Sequence, residues 1–126
     1  MKYAIGLLAS TFLLFGADDK KPPEKQNWER MKACAAQAEK VGGSNLQRNH
    51  YSPKYERCFA LLLFRGDHSS DWELIDAFEG TVLAVRFLDS KPKDPREREA
   101  CGILDSGVIV DDCKTVLNYI EEHLTR

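Results

Sequence analysis

Asp67, His68, Ser69, Ser70 and Asp71 crowd one short stretch of the chain, G-D-H-S-S-D from Gly66 to Asp71. A histidine among carboxylates and hydroxyls can hold a metal ion, or act as the base of a nucleophile dyad. On that reading the protein is a small metal-assisted hydrolase working through Asp67, His68 and Asp71. The plainer reading, and the preferred one, is a polar turn whose Asp and Ser side chains cap backbone amides. Asp76 and Glu79 form a second carboxylate pair, and paired carboxylates do acid and base work when their pKa values are pushed apart. An ion pair between Asp76 and a base such as Arg86 is the simpler expectation. His50 and His123 read as surface residues, His123 near a helix C-terminus where positive charge is welcome. No histidine pair has helical metal-binding spacing, and G-x-S-x-G, H-E-x-x-H and glycine-rich phosphate loops are missing. No catalytic residue, metal or cofactor is therefore assigned, and a non-enzyme is favoured.

Aromatic residues make the better lead. His50, Tyr51, Tyr55 and Arg57, with Arg48 beside them, form a mixture typical of protein contact surfaces. The competing reading is that Tyr51 and Tyr55 roof one end of the core with their hydroxyls in water.

The four cysteines, Cys34, Cys58, Cys101 and Cys113, are too widely spaced for the short ligand pairs of a structural zinc site. Their meaning follows from the N-terminus. Lys2, an apolar run from Ala4 to Phe15, and then Gly16-Ala17 read as a secretory signal over residues 1–17, too short to span a bilayer. Export places the even set of cysteines in an oxidising compartment, where they pair. Of the three connectivities, Cys34 with Cys58 and Cys101 with Cys113 is expected. Each bridge would add roughly 3 kcal/mol in the chain-entropy model.

Cleavage after Ala17 removes Lys2 and leaves 109 residues with 17 basic and 20 acidic side chains, a formal charge of −3. The charges are interspersed, which argues against nucleic acid and anionic membranes as partners. An unidentified protein partner is expected, with a monomer as the main form and a homodimer as the alternative. Asp18 to Gln26 is charged and carries Pro22-Pro23, the composition of a flexible linker. Residues 27–126 then form one globular domain.

Within that domain, Trp28, Met31, Cys34, Ala35, Ala38 and Val41 recur at helical spacing behind Asn27 as N-cap, and Gly42-Gly43-Ser44 closes the helix. Asn45 to Pro53 is a polar connection. Cys58 to Phe64 (CFALLLF) suits a strand buried on both faces. Trp72 to Phe78 and Thr81 to Leu88 read as two further strands around the tight turn Glu79-Gly80, with Trp72, Leu74 and Phe78 on one face and Leu83, Val85 and Phe87 aligned on the partner. Ser90 to Glu99 is a solvated, proline-broken loop, and Val108 to Val110 a short edge strand. Asp112 caps a last helix with Val116, Leu117, Ile120 and Leu124 on one side. The fold class is α+β: an N-terminal helix, a three-stranded antiparallel meander and a C-terminal helix, with both helices able to cover one face of the sheet.

The run His50-Tyr51-Ser52-Pro53-Lys54-Tyr55-Glu56-Arg57-Cys58-Phe59, then Asp76-Ala77-Phe78-Glu79-Gly80, then two late cysteines ahead of a helix, resembles a group of small uncharacterised secreted bacterial proteins. In that group an HYN-K-x(3)-CF motif precedes the first strand and a D-A-x-E/D motif enters a hairpin; here Ser52 stands where asparagine is usual. The resemblance implies an exported, bacterial, periplasmic or secreted protein and brings no activity. Glu29 to Lys40 (ERMKACAAQAEK) is also similar to the repeat of phosphate-starvation-inducible PsiF proteins, a likeness that fades after Gly43. The sequence thus points to a small exported binding module, an inhibitor-like one being a form it could take, with the hydrolase as runner-up. A self-associating structural component would instead need a large apolar patch on an uncovered sheet face.

Overall fold

A computed structural model describes residues 23–105 and 112–126. The signal, residues 18–22 of the expected linker, and the expected edge strand Val108 to Val110 lie outside the described residues. Helix α1 (Pro23–Gly42) leads into strands β1 (Leu46–Ser52), β2 (Arg57–Arg65), β3 (Ser69–Asp76), β4 (Thr81–Asp89) and β5 (Glu99–Ile103), and helix α2 (Cys113–Thr125) follows. The strands form one antiparallel sheet in the order β1-β2-β3-β4-β5.

The class is α+β, as expected, but the sheet has five strands where three were expected. The two additional strands lack an apolar run. β1 is an edge strand with three exposed residues in its first half, so Gln47, Arg48 and Asn49 cost nothing there. β5 begins at the charged Glu99 and buries only Gly102 and Ile103. α1 also begins earlier than Asn27 and takes in Pro23 to Gln26 from the expected linker. Proline is tolerated at the first helical position, and Glu24 in the first turn suits the positive end of the helix.

β2 explains the layering. Cys58, Ala60 and Leu62 pack with Cys34 and Ala38 of α1, whereas Phe59 and Leu61 pack with Val116, Ile120 and Leu124 of α2. A strand apolar on both faces must be covered on both. The helices accordingly lie on opposite faces, which corrects the expectation that they share one. A bulge shifts the β3–β4 register from Leu74↔Ala84 to Ile75↔Val82, so Leu83 joins the α2 side while Val85 and Phe87 face the other way. β3 ends at Asp76, and Phe78 stands in the following turn, half exposed. Gly80 supplies the positive φ (71°) that the turn needs.

The buried stripe of α1 is small: Cys34, Ala38 and Gly42. A Cβ on Gly42 would sit 2.6 Å from Leu62 Cδ2, so the helix end lies directly on the sheet. Both expected disulfides are present, Cys34–Cys58 and Cys101–Cys113. Such bridges belong to an oxidising, non-cytoplasmic environment. Among the described residues no helix is long and apolar enough to cross a membrane.

Candidate functional site

Rotating α1 onto its small residues leaves its large ones outside. Trp28 is 58% and Met31 50% exposed, and with Lys32, Ala35, Asn49, His50 and Tyr51 they line a groove of about 270 Å³. On the other flank of the helix, Phe78, 55% exposed, lines a second groove of about 300 Å³ with Arg30, Ala33, Tyr51 and Glu56. Tyr51 borders both and is itself buried. Arg30 Nη1 donates to its hydroxyl at 2.9 Å, with the guanidinium carbon 5.9 Å from the ring centroid. Lys32 Nζ lies 5.7 Å from the Trp28 ring, close enough for a cation–π contact. His50 Nε2 is shielded from solvent and has no hydrogen-bond partner among the described residues. The surface therefore offers two large aromatics and a thioether on a frame fixed by the Cys34–Cys58 bridge.

Of the four candidate binding residues, the structure brings Tyr51 to this surface, leaves His50 at the groove's border with its side chain on the face of Phe59 and α2, and sends Tyr55 and Arg57 elsewhere. The turn between β1 and β2, where Glu56 has a left-handed φ of 51°, carries the chain across to the α2 side. There Tyr55 stacks on His123 with centroids 4.6 Å apart and donates its hydroxyl to Glu122 Oε1 at 3.2 Å. Lys54 Nζ reaches the same oxygen at 3.2 Å, and these hydrogen bonds, Lys54 first, hold the Glu122 carboxyl below the usual glutamate range. His123 is buried, not on the surface as expected. Tyr119 packs on its other side at 3.9 Å and Phe59 meets it edge-on at 5.0 Å. Its Nδ1 is 2.7 Å from the Tyr119 carbonyl; a carbonyl only accepts, so the proton sits on Nδ1. Burial, and then the hydrogen bond to Asp105 at 2.9 Å, push the Tyr119 hydroxyl far above its ordinary pKa.

Arg57 Nε lies 3.7 Å from Asp76 Oδ2, so Asp76 does find a basic partner, but it is Arg57 and not Arg86, which pairs with Glu99 at 2.9 Å. Asp76 Oδ1 accepts the backbone N–H groups of Phe78 and Glu79 at 3.0 and 3.1 Å. This carboxylate is committed to the turn, and Glu79 is exposed.

The Asp67-His68-Asp71 stretch is a turn whose ends are tied, with Gly66 N–H donating to Ser69 O and His68 O accepting from Ser90 N and Oγ. Asp71 pairs across the sheet with Phe64 and Phe87, on the face opposite Trp72. Among the described residues, the one gathering of three potential metal ligands is Glu99, Cys101 and Cys113, whose two sulfurs are joined to each other.

Trp28, Met31 and Phe78 read in the sequence as core. For Trp28 and Met31 the signal that could have exposed them is the bridge: once Cys34 is tied to the central strand, the helix face containing Cys34, Ala38 and Gly42 must be the inner one. No protein-family model, curated protein or solved structure matches the chain.

Proposed function

We propose that this is an exported, disulfide-stapled protein-binding module, secreted or periplasmic, whose contact surface is the outer side of α1 with its flanking grooves: Trp28, Met31 and Phe78 around the buried Tyr51. The observation that carries this reading is the exposure of three large apolar side chains, Trp28 and Met31 in one groove and Phe78 in a second, that meet at Tyr51 on a rigid frame. Tryptophan dominates binding hot spots, and methionine adapts to irregular partners. Burial of about 25 cal/mol for each Å² of apolar surface gives such a cluster a reason to meet a partner. The resemblance to small secreted bacterial proteins supports the same compartment.

A photo-crosslinking residue placed at position 28, and separately at 78, in protein expressed in its own host tests the proposal. The expected result is one discrete adduct at both positions, lost with Met31→Asp and missing from a control probe at Lys93. An adduct of twice the chain mass would identify the partner as a second copy. No adduct, or the same adducts at position 93, overturns the proposal. The competing hydrolase at Asp67, His68 and Asp71 is less well supported, because Asp71 lies on the other face of the sheet. It predicts that His68→Ala abolishes function with the fold intact, whereas the binding module is indifferent to that change.

A further inference from the structure

The α2 face of the sheet is only partly covered. Reading across the strands, the row Leu61, Leu74, Ala84 and Ile103 is roofed by α2, and the next rows are Leu63, Trp72, Arg86 and Cys101, then Arg65, Ser70, Leu88 and Glu99. Over those outer rows lies the largest cleft described, about 560 Å³, a volume typical of small-molecule sites. Its floor is apolar: Leu63, the half-buried Trp72 and Leu88. A smaller cleft of about 360 Å³ adjoins it at Trp72 and runs along α2 past Leu61, Leu117 and Ile120.

The rim is fixed and carries uncommitted donors. The bonds from Ser90 to His68 O, and from Asp89 N to Arg98 O at 2.8 Å, tie the β2–β3 turn to the β4–β5 segment. Arg65 and Arg98 line this rim, and neither guanidinium makes a hydrogen bond or ion pair to any described residue; the Trp72 indole N–H on the floor likewise has no partner among them. Two acids also border the cleft. Asp89 already accepts the Lys91 N–H at 2.9 Å, and Asp67 is at the exposed turn. An apolar floor with two free guanidinium groups above it complements a molecule with an apolar body and one anionic head. Guanidinium is the side chain best shaped to meet a carboxylate.

We propose that this cleft is a second binding site, independent of the α1 surface, that takes an amphiphilic carboxylate. The apolar body lies on Trp72, Leu63 and Leu88 and the carboxylate is met by Arg65 and Arg98. Calorimetric titration with decanoate, against decanol and decyltrimethylammonium as neutral and cationic counterparts, tests it. Decanoate should bind and the other two should bind at least about tenfold more weakly, the loss of one charge-assisted interaction. The double variant Arg65→Gln/Arg98→Gln, at exposed positions without partners, should lower decanoate affinity about tenfold or more. The charge-matched control Lys25→Gln/Lys40→Gln on α1 should leave it unchanged. Absence of decanoate binding, equal binding of decanol, or equal loss in the control overturns the proposal.

Discussion

Removing the two disulfides one at a time should separate their roles sharply. The Cys34–Cys58 bridge spans 24 residues and Cys101–Cys113 spans 12. Chain entropy alone assigns them about 3.5 and about 3 kcal/mol, a difference too small to be decisive. Burial enlarges it. Cys34 and Cys58 are both 0% exposed and sit in the α1 core with Ala38, Ala60 and Ile75, whereas Cys101 and Cys113 are partly exposed. Replacing the first pair with alanine deletes two buried sulfurs, which adds about 1–2 kcal/mol of lost packing. Cys34→Ala/Cys58→Ala should therefore lose about 5 kcal/mol, and Cys101→Ala/Cys113→Ala about 3. Urea unfolding followed by circular dichroism, without reductant, measures both, with equal m-values as the check that the same surface is exposed. A loss of 5 kcal/mol is the whole stability of a marginal domain, so the first variant can be unfolded in water and then needs a stabilising osmolyte to be measured. Equal losses, or a larger loss from the Cys101 pair, would refute the assignment of the α1 layer to its bridge.

Two further predictions concern single carboxylates. Asp76→Ala strips the acceptor from the Phe78 and Glu79 amides and leaves Arg57 without its partner, and should cost about 2–3 kcal/mol in thermal or urea unfolding; Asp76→Asn, which still accepts at Oδ1, should recover part of it. Glu73 faces Leu62 and Val85 across the sheet, and burial, followed by the neighbouring Asp71, raises its pKa, so the fold favours its neutral form. The stability tied to Glu73 is then complete below the ordinary glutamate pKa and is lost as pH rises through the raised one. Glu73→Gln should raise Tm near neutrality and leave it unchanged well below the carboxylate range.

Much of the fold was legible where one physical signal acted alone. CFALLLF announces a strand buried on both sides, Gly80 announces its turn, and the favoured cysteine pairing is the one in the structure. β1 was hidden because an edge strand can be polar throughout its exposed half, and its hydrogen bonds come from β2, a partner that no local pattern reveals. β5 was hidden behind Arg96, Arg98 and Glu99, charges that read as loop. The candidate site was legible only in part. His50 and Tyr51 were singled out with Tyr55 and Arg57, but strand alternation and the turn at Glu56 divide the four between opposite layers. Trp28 and Met31 misled because apolar periodicity reports a stripe without saying whether it or the neighbouring small-residue stripe meets the sheet.

The sheet order has a kinetic consequence. Each of its four ladders joins strands that follow one another in the chain, with no crossover. Loop closures are therefore short, the topology that favours fast folding. The chain can zip from its N-terminal end hairpin by hairpin, with α1 already able to lock onto β2 through Cys34 before β3 is laid down. Cys101 lies in β5 and Cys113 opens α2, so the second bridge joins the last two described elements of the chain. That bridge therefore fastens the last described strand to the last helix, as Cys34–Cys58 fastens the first helix to the central strand.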